Sequence, residues 1–142
     1  MEGKKYGLNF YPVLSFYMDH YFRVILAKGN GQIEMAEGIG PVWNGPLHDP
    51  KVIERMTAES EGLTLADRRV AKFLKVCKDE AKVKATSFYQ TDELSSLMKI
   101  NAPKMDAILD SLISSGFPSS RSHFDPKGFR TEASIEDIKR IL

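Results

Sequence analysis

From residue 86 the chain orders its segments in a way that few folds accommodate. "QTDELSSLMKI" sets Leu94, Leu97 and Met98 on one helical face, with Thr91 or Asp92 as candidate caps. "NAPKMDAILDSLISSG" leads through Asn101 or Ala102 into Pro103. It then stacks Met105, Ile108, Leu109, Leu112 and Ile113 as a second apolar stripe, and Gly116 stands at the C-cap. "FPSSRSHF" and "FRTEA" flank "DPKG", which has Pro and Gly where turns favour them. "SIEDIKRIL" closes the chain, with Ser134 and Asp137 spaced as a capping box. Helix, turn, helix, two-stranded wing, helix is the order of a winged-helix-like module, expected over 86–142.

The upstream part reads differently. "YPVLSFYMD" and "YFRVILAKG" are rich in β-branched and aromatic residues and predict strands. The second is apolar on nearly both faces, which suits a central strand. "GNG" signals a tight turn, after which "QIEMAEG" is the expected partner strand. "IGPVWNGPLHD" reads as a short strand and a loop, with Trp43 packed on the sheet. Asp49 then caps a helix that has Pro50 in its first position. "TLADRRVAKFLKVCKDEAKVK" places Val70, Phe73, Leu74, Cys77 and Ala81 on a buried stripe. The fold class expected is therefore α+β: a small, mainly antiparallel sheet with helices over 1–85, then the winged-helix-like module.

Charge bears on what such a chain can bind. The 142 residues carry a net charge of only +1, so any basic surface is local. Residues 65–84 hold seven cations against three anions, and Arg68, Arg69 and Lys72 lie opposite the apolar stripe. This is either a solvated helix face or a phosphate-binding one. No apolar run approaches the roughly 20 residues that span a bilayer. The N-terminus lacks the apolar segment of a signal peptide, so a cytoplasmic location is expected. Cys77 is the single cysteine, which excludes an intramolecular disulfide and a multi-cysteine zinc site.

No catalytic constellation is visible. His20, His48 and His123 are far apart in sequence, without clustered carboxylates or cysteines, so each reads as a satisfied or exposed side chain and no metal is expected. Asp19 and His20 adjoin, but neighbouring strand residues face opposite ways. The glycine pairs in "GNGQIE" and "GIGPVWNG" lack the strand before and the helix directly after that a nucleotide cradle needs.

Binding is better supported. Arg23, in an otherwise apolar strand, must be paired or must meet a polar ligand. The second helix of the C-terminal module exposes Asp106 and Asp110, which a DNA phosphate wall would repel, so sequence-specific DNA binding is not expected. The wing instead gathers Arg121, His123, Lys127 and Arg130 around Phe124, types that hold phosphates and stack on bases. The RNA-contact set read from the sequence is thus Arg23, Arg68, Arg69, Lys72, Arg121, His123, Phe124, Lys127 and Arg130. A protein-interaction module is the alternative, since the acidic helix suits a protein partner.

Three segments, "YPVLSFYMDHYFRVIL", "GPVWNGPLHD" and "SHFDPKGFRTEA", together resemble the C-terminal domain of the tRNA N2,N2-dimethylguanosine methyltransferases. The resemblance runs over about residues 10 to 134. It places Asp19, His20, Arg23, Trp43, His123, Phe124, Pro126, Gly128 and Thr131 at family positions. It implies tRNA as partner and a catalytic Rossmann-like domain, in cis or in trans, that binds S-adenosylmethionine. That domain is absent from this sequence, so no cofactor is expected in this chain and the chain alone is expected to be inactive. Many family members carry cysteine pairs where this sequence has the compact "AKGNGQIEMAEGI", so the resemblance implies no zinc there.

Overall fold

A computed structural model describes residues 9–18, 20–29, 45–60, 68–85 and 87–142, and the backbone of 33–36 and 40–43. Asp19 and the side chain of Trp43 lie outside the described residues. The fold is mixed, with helices packed on small antiparallel sheets, as an α+β chain requires.

β1 (Phe10–Met18) and β2 (Tyr21–Lys28) form a tight antiparallel hairpin that closes at Met18↔Tyr21. The register slips between Pro12 and Leu14, beside a proline that has no N–H to give the ladder. β3 (Ile33–Ala36) pairs with β4 (Gly40–Trp43) and not with β2. The expectation of a central β2 does not hold among the described residues, because β2 pairs only with β1 and is exposed along most of its length.

α1 (Pro50–Ser60) starts as expected. Asp49 Oδ1 accepts from the backbone N–H of Lys51 at 2.9 Å and of Val52 at 3.4 Å. α2 (Arg68–Glu80) buries Leu74, Cys77 and Glu80. Cys77 packs with Leu14 and Ile53, and Phe16, Met56 and Phe73 complete that cluster. Val70, assigned to the same stripe from the sequence, is exposed.

The rest follows in order: β5 (Tyr89–Gln90), α3 (Thr91–Met98), α4 (Met105–Ser114), β6 (Ser119–Arg121), β7 (Gly128–Thr131) and α5 (Ile135–Ile141). The N-cap of α3 is Gln90, without a side-chain cap. The Thr91 N–H instead donates to Lys127 O at 3.0 Å, so the wing turn satisfies the helix start. Gly116 follows α4 with φ +90°, a conformation that glycine adopts at little cost. The capping box of α5 is complete, with Ser134 and Asp137 bonded reciprocally. The three strands run in the order β5-β7-β6, all antiparallel, with β7 in the middle. Leu94, Ile108, Leu112, Phe129, Ala133 and Ile138 make the core beneath them. No helix among the described residues is long and apolar enough to cross a membrane.

Candidate nucleic-acid interface

α2, α4 and β6 enclose a groove of about 660 Å³. Lys72 and Lys75 of α2 line one bank with Asp79, whose partner Lys82 lies just past the helix end, and Asp106 and Asp110 of α4 line the other. Arg121 of β6 lies at its end, over a floor that includes Val76, Leu109 and Ile113. Two cations picked from distant sequence, Lys72 and Arg121, therefore meet at one surface. Arg121 Nη2 donates to Asp106 Oδ1 at 2.7 Å, with both side chains well exposed. Such an exposed pair contributes about 0–1 kcal/mol. Arg68 and Arg69 are exposed on the first turn of α2.

The wing tip carries a second group. Lys127 pairs with Asp92, whose hydrogen bond and charge raise the lysine's pKa. Phe124 is half-buried, with its ring parallel to Phe88 at 6.2 Å and 6.3 Å from the highly exposed ring of Phe22. Arg23 is exposed and lies 5.4 Å from the centroid of Tyr21 and 5.9 Å from that of Phe16. These rings stabilise its charge without neutralising it.

Arg130 and His123 lie elsewhere, which corrects the reading of the wing as wholly outward-facing. Arg130 is fully buried, and the His123 side chain is only 3% exposed. β7 lies between two strands and all four of its residues are buried, so both of its faces are covered. Phe129 fills the apolar core, and its neighbour Arg130 must point the opposite way, towards α2. There it meets Glu80, with Arg130 Nη1 at 4.0 Å from Glu80 Oε1. Burial lowers the arginine's pKa, and the charge of Glu80 opposes that shift.

Glu80 is itself fully buried. His48 Nε2 lies 3.0 Å and His123 Nδ1 2.5 Å from its Oε2. The His123 backbone N–H donates to its Oε1 at 3.2 Å. Burial pushes the carboxyl pKa up, but the hydrogen bonds from His123 and His48, with their charge, outweigh it and hold it at about 2. The Tyr17 N–H lies 3.4 Å from His123 Nε2. His48 is held by a β-bridge to Leu14 and leaves its Nδ1 without a partner. Cys77, one turn before Glu80, completes a cluster. One donor atom each from His48, Cys77, Glu80 and His123 lies within 4.8 Å of all the others. Burial first, and then Glu80, raises the thiol's pKa.

Sequence reading missed Glu80, although a signal was present. It lies seven residues after Phe73 and three after Cys77, a carboxylate on an otherwise apolar stripe. His48 carried no comparable mark.

Helices on small antiparallel sheets, with a groove lined by four cations and three carboxylates, define an α+β protein with a mixed-charge surface groove. The family model described as N2,N2-dimethylguanosine tRNA methyltransferase matches residues 34–142. The tRNA (guanine(26)-N(2))-dimethyltransferases of Pyrococcus horikoshii and Pyrococcus abyssi are each 33% identical to the chain, covering 96% and 97% of it. The structure of Trm1 from Pyrococcus horikoshii with S-adenosyl-L-methionine superposes with a TM-score of 0.77 at 29% identity over 96% of this chain. The chain belongs to the N2,N2-dimethylguanosine tRNA methyltransferase family. It spans 44% of the length of each of these relatives, so it corresponds to part of them.

Proposed function

We propose that this chain holds tRNA for a guanine-N2 methyltransferase whose catalytic half lies in another domain, in cis or in trans. The observation that carries this reading is the chain's membership of this family together with the meeting of Lys72, Lys75 and Arg121 along one groove. The facing α4 bank, with Asp106 and Asp110, repels phosphate, so the RNA contact lies on the α2 side. Arg68 and Arg69 extend the basic bank, and Arg23, Phe124 and Lys127 form a second contact at the wing. His123 and Arg130 act from inside, by fixing the wing to α2. A methylated guanine must be unstacked at a cost of a few kcal/mol, and a domain gripping the folded RNA can supply that energy.

On this reading residues 86–142 are a winged-helix-like module and 1–85 a sheet-and-helix lobe, working in the cytoplasm. S-adenosylmethionine belongs to the other half. The strand that runs straight into a helix here, β5 into α3, passes through Gln90 and Thr91 without a glycine turn, so it does not fit a cradle for that cofactor. The apolar outer surface of β2, with Phe22, Val24 and Leu26 exposed, favours a protein-docking role alongside RNA binding.

The test is a gel shift of the purified chain with tRNA across a salt series. Binding should fall steeply with salt. Lys72→Ala and Arg121→Ala should each weaken binding and flatten the salt slope by about one. Affinity insensitive to salt, or unchanged in both variants, defeats the proposal. The chain alone, given tRNA and labelled S-adenosylmethionine, should transfer no methyl group.

A further inference from the structure

We infer that His48 Nε2, Cys77 Sγ, Glu80 Oε2 and His123 Nδ1 form a closed structural zinc site that fastens the wing to α2 and to the loop before α1. This assignment is independent of the tRNA reading and rests on the four side chains alone.

Three stretches far apart in sequence deliver the donors to one buried spot. Cys77 and Glu80 are three residues apart on α2, so one helical face presents both. His48 is fixed by its bridge to Leu14, and His123 enters from the wing. Cys77, Glu80 and His48 are all fully buried, against Leu14, Ile53 and Phe73. A core of this kind has no need of four metal-binding side chains at one point.

The donor chemistry selects the ion. Two imidazoles, a sulfur and one carboxylate oxygen suit zinc, whereas magnesium and calcium take oxygen ligands. Zinc bonds of about 2.0–2.3 Å in a tetrahedron put neighbouring donors roughly 3.3–3.8 Å apart. The donors here are separated by 3.0 Å and 2.5 Å at Glu80, and all lie within 4.8 Å. These values bracket the ideal, so side-chain shifts of about an ångström close the site. Four protein ligands leave no open position, which makes the site structural and not catalytic.

The charge and proton balance can be written out. The Cys77 sulfur and the imidazole nitrogens that now face Glu80 must each be free of hydrogen to bind the metal through a lone pair. The thiol proton leaves to solvent. Each imidazole stays neutral by carrying its proton on the other ring nitrogen. For His123 this gives up the long contact from the Tyr17 N–H. The thiolate and the Glu80 carboxylate together neutralise the dication. Arg130 then faces Glu80 Oε1 from outside, as a partner to a ligating carboxylate. Its charge opposes a second cation, so this site binds more weakly than an all-cysteine one.

Cobalt titration of the chelator-stripped full chain is the direct test. Co²⁺ should saturate at about one equivalent. It should give the intense visible bands of a tetrahedral site and a near-ultraviolet sulfur-to-cobalt band, and zinc should then erase both. Cys77→Ser should lose the sulfur band. Zinc should raise the melting temperature of the parent chain by several degrees and leave Cys77→Ser unmoved. If Cys77→Ser fails to fold, the titration of the parent chain decides by itself. A parent chain that melts cooperatively yet gives only weak octahedral bands, or binds without a defined stoichiometry, overturns the assignment.

Discussion

Two buried regions of this molecule, on opposite faces of β7, are chemically opposite. Beneath β7, Phe129, Ile108, Leu112 and Ile138 form a core held by apolar contact, which is non-directional and tolerates substitutions of similar volume. On the other face of the same strand, Glu80 gathers Arg130, His48 and His123 in a buried polar seam, where charge and hydrogen bonding set the geometry. One residue step along β7 separates the two. The apolar region organises the C-terminal module by itself. The polar seam ties β7 and His123 to α2 and to the loop before α1, the same α2 that carries Lys72.

The contrast can be broken most forcefully at Glu80. Glu80→Gln keeps the shape and removes the charge that faces Arg130, and should cost about 3–5 kcal/mol in urea unfolding. A loss below about 1 kcal/mol would mean that the seam is not an ionic structure. Ile108→Ala should cost about 2–5 kcal/mol through lost burial and the cavity left behind. It should leave the Co²⁺ spectrum of the folded protein unchanged, because the apolar core does not touch the cluster. If that spectrum vanishes, the two regions are not separable.

Smaller effects sharpen the comparison at the surface. Ser134→Ala removes the α5 cap and should cost about 1 kcal/mol. The Ser134 hydroxyl and N–H, followed by Arg140, hold the Asp137 pKa below its ordinary value. A depressed carboxylate contributes stability that is complete above its unfolded pKa and is lost as pH falls through its folded one. The acid limb of the stability profile, measured by pH-dependent melting, should therefore be shallower in Ser134→Ala. Least of all, Arg121→Ala should change stability by under about 1 kcal/mol, since its pair with Asp106 is exposed. Its effect should appear in tRNA binding instead.

Much of the fold could be read along the chain. Asp49 before Pro50, Gly116 after α4 and the Ser134–Asp137 box are local devices, and local hydrogen bonds decide them. The burial of Cys77 followed from helical spacing. Strand pairing was less legible, because β3 could join β2 or β4 with similar local signals. The site was legible in part. Lys72 and Arg121 were picked out by charge, and their shared groove was not visible. Arg130 was taken for a surface cation because its charge is local information and its depth is not.

Residue by residue, the chain dictates where helices begin and end, which faces are apolar and where the wing turns, because those outcomes depend on neighbours a few positions away. Packing alone decided that β7 lies between two strands with α2 behind it. That placement turns an arginine inward and gathers two distant histidines, a thiol and a carboxylate at one point. Contacts between segments separated by tens of residues leave no periodic trace, so only the assembled structure discloses them.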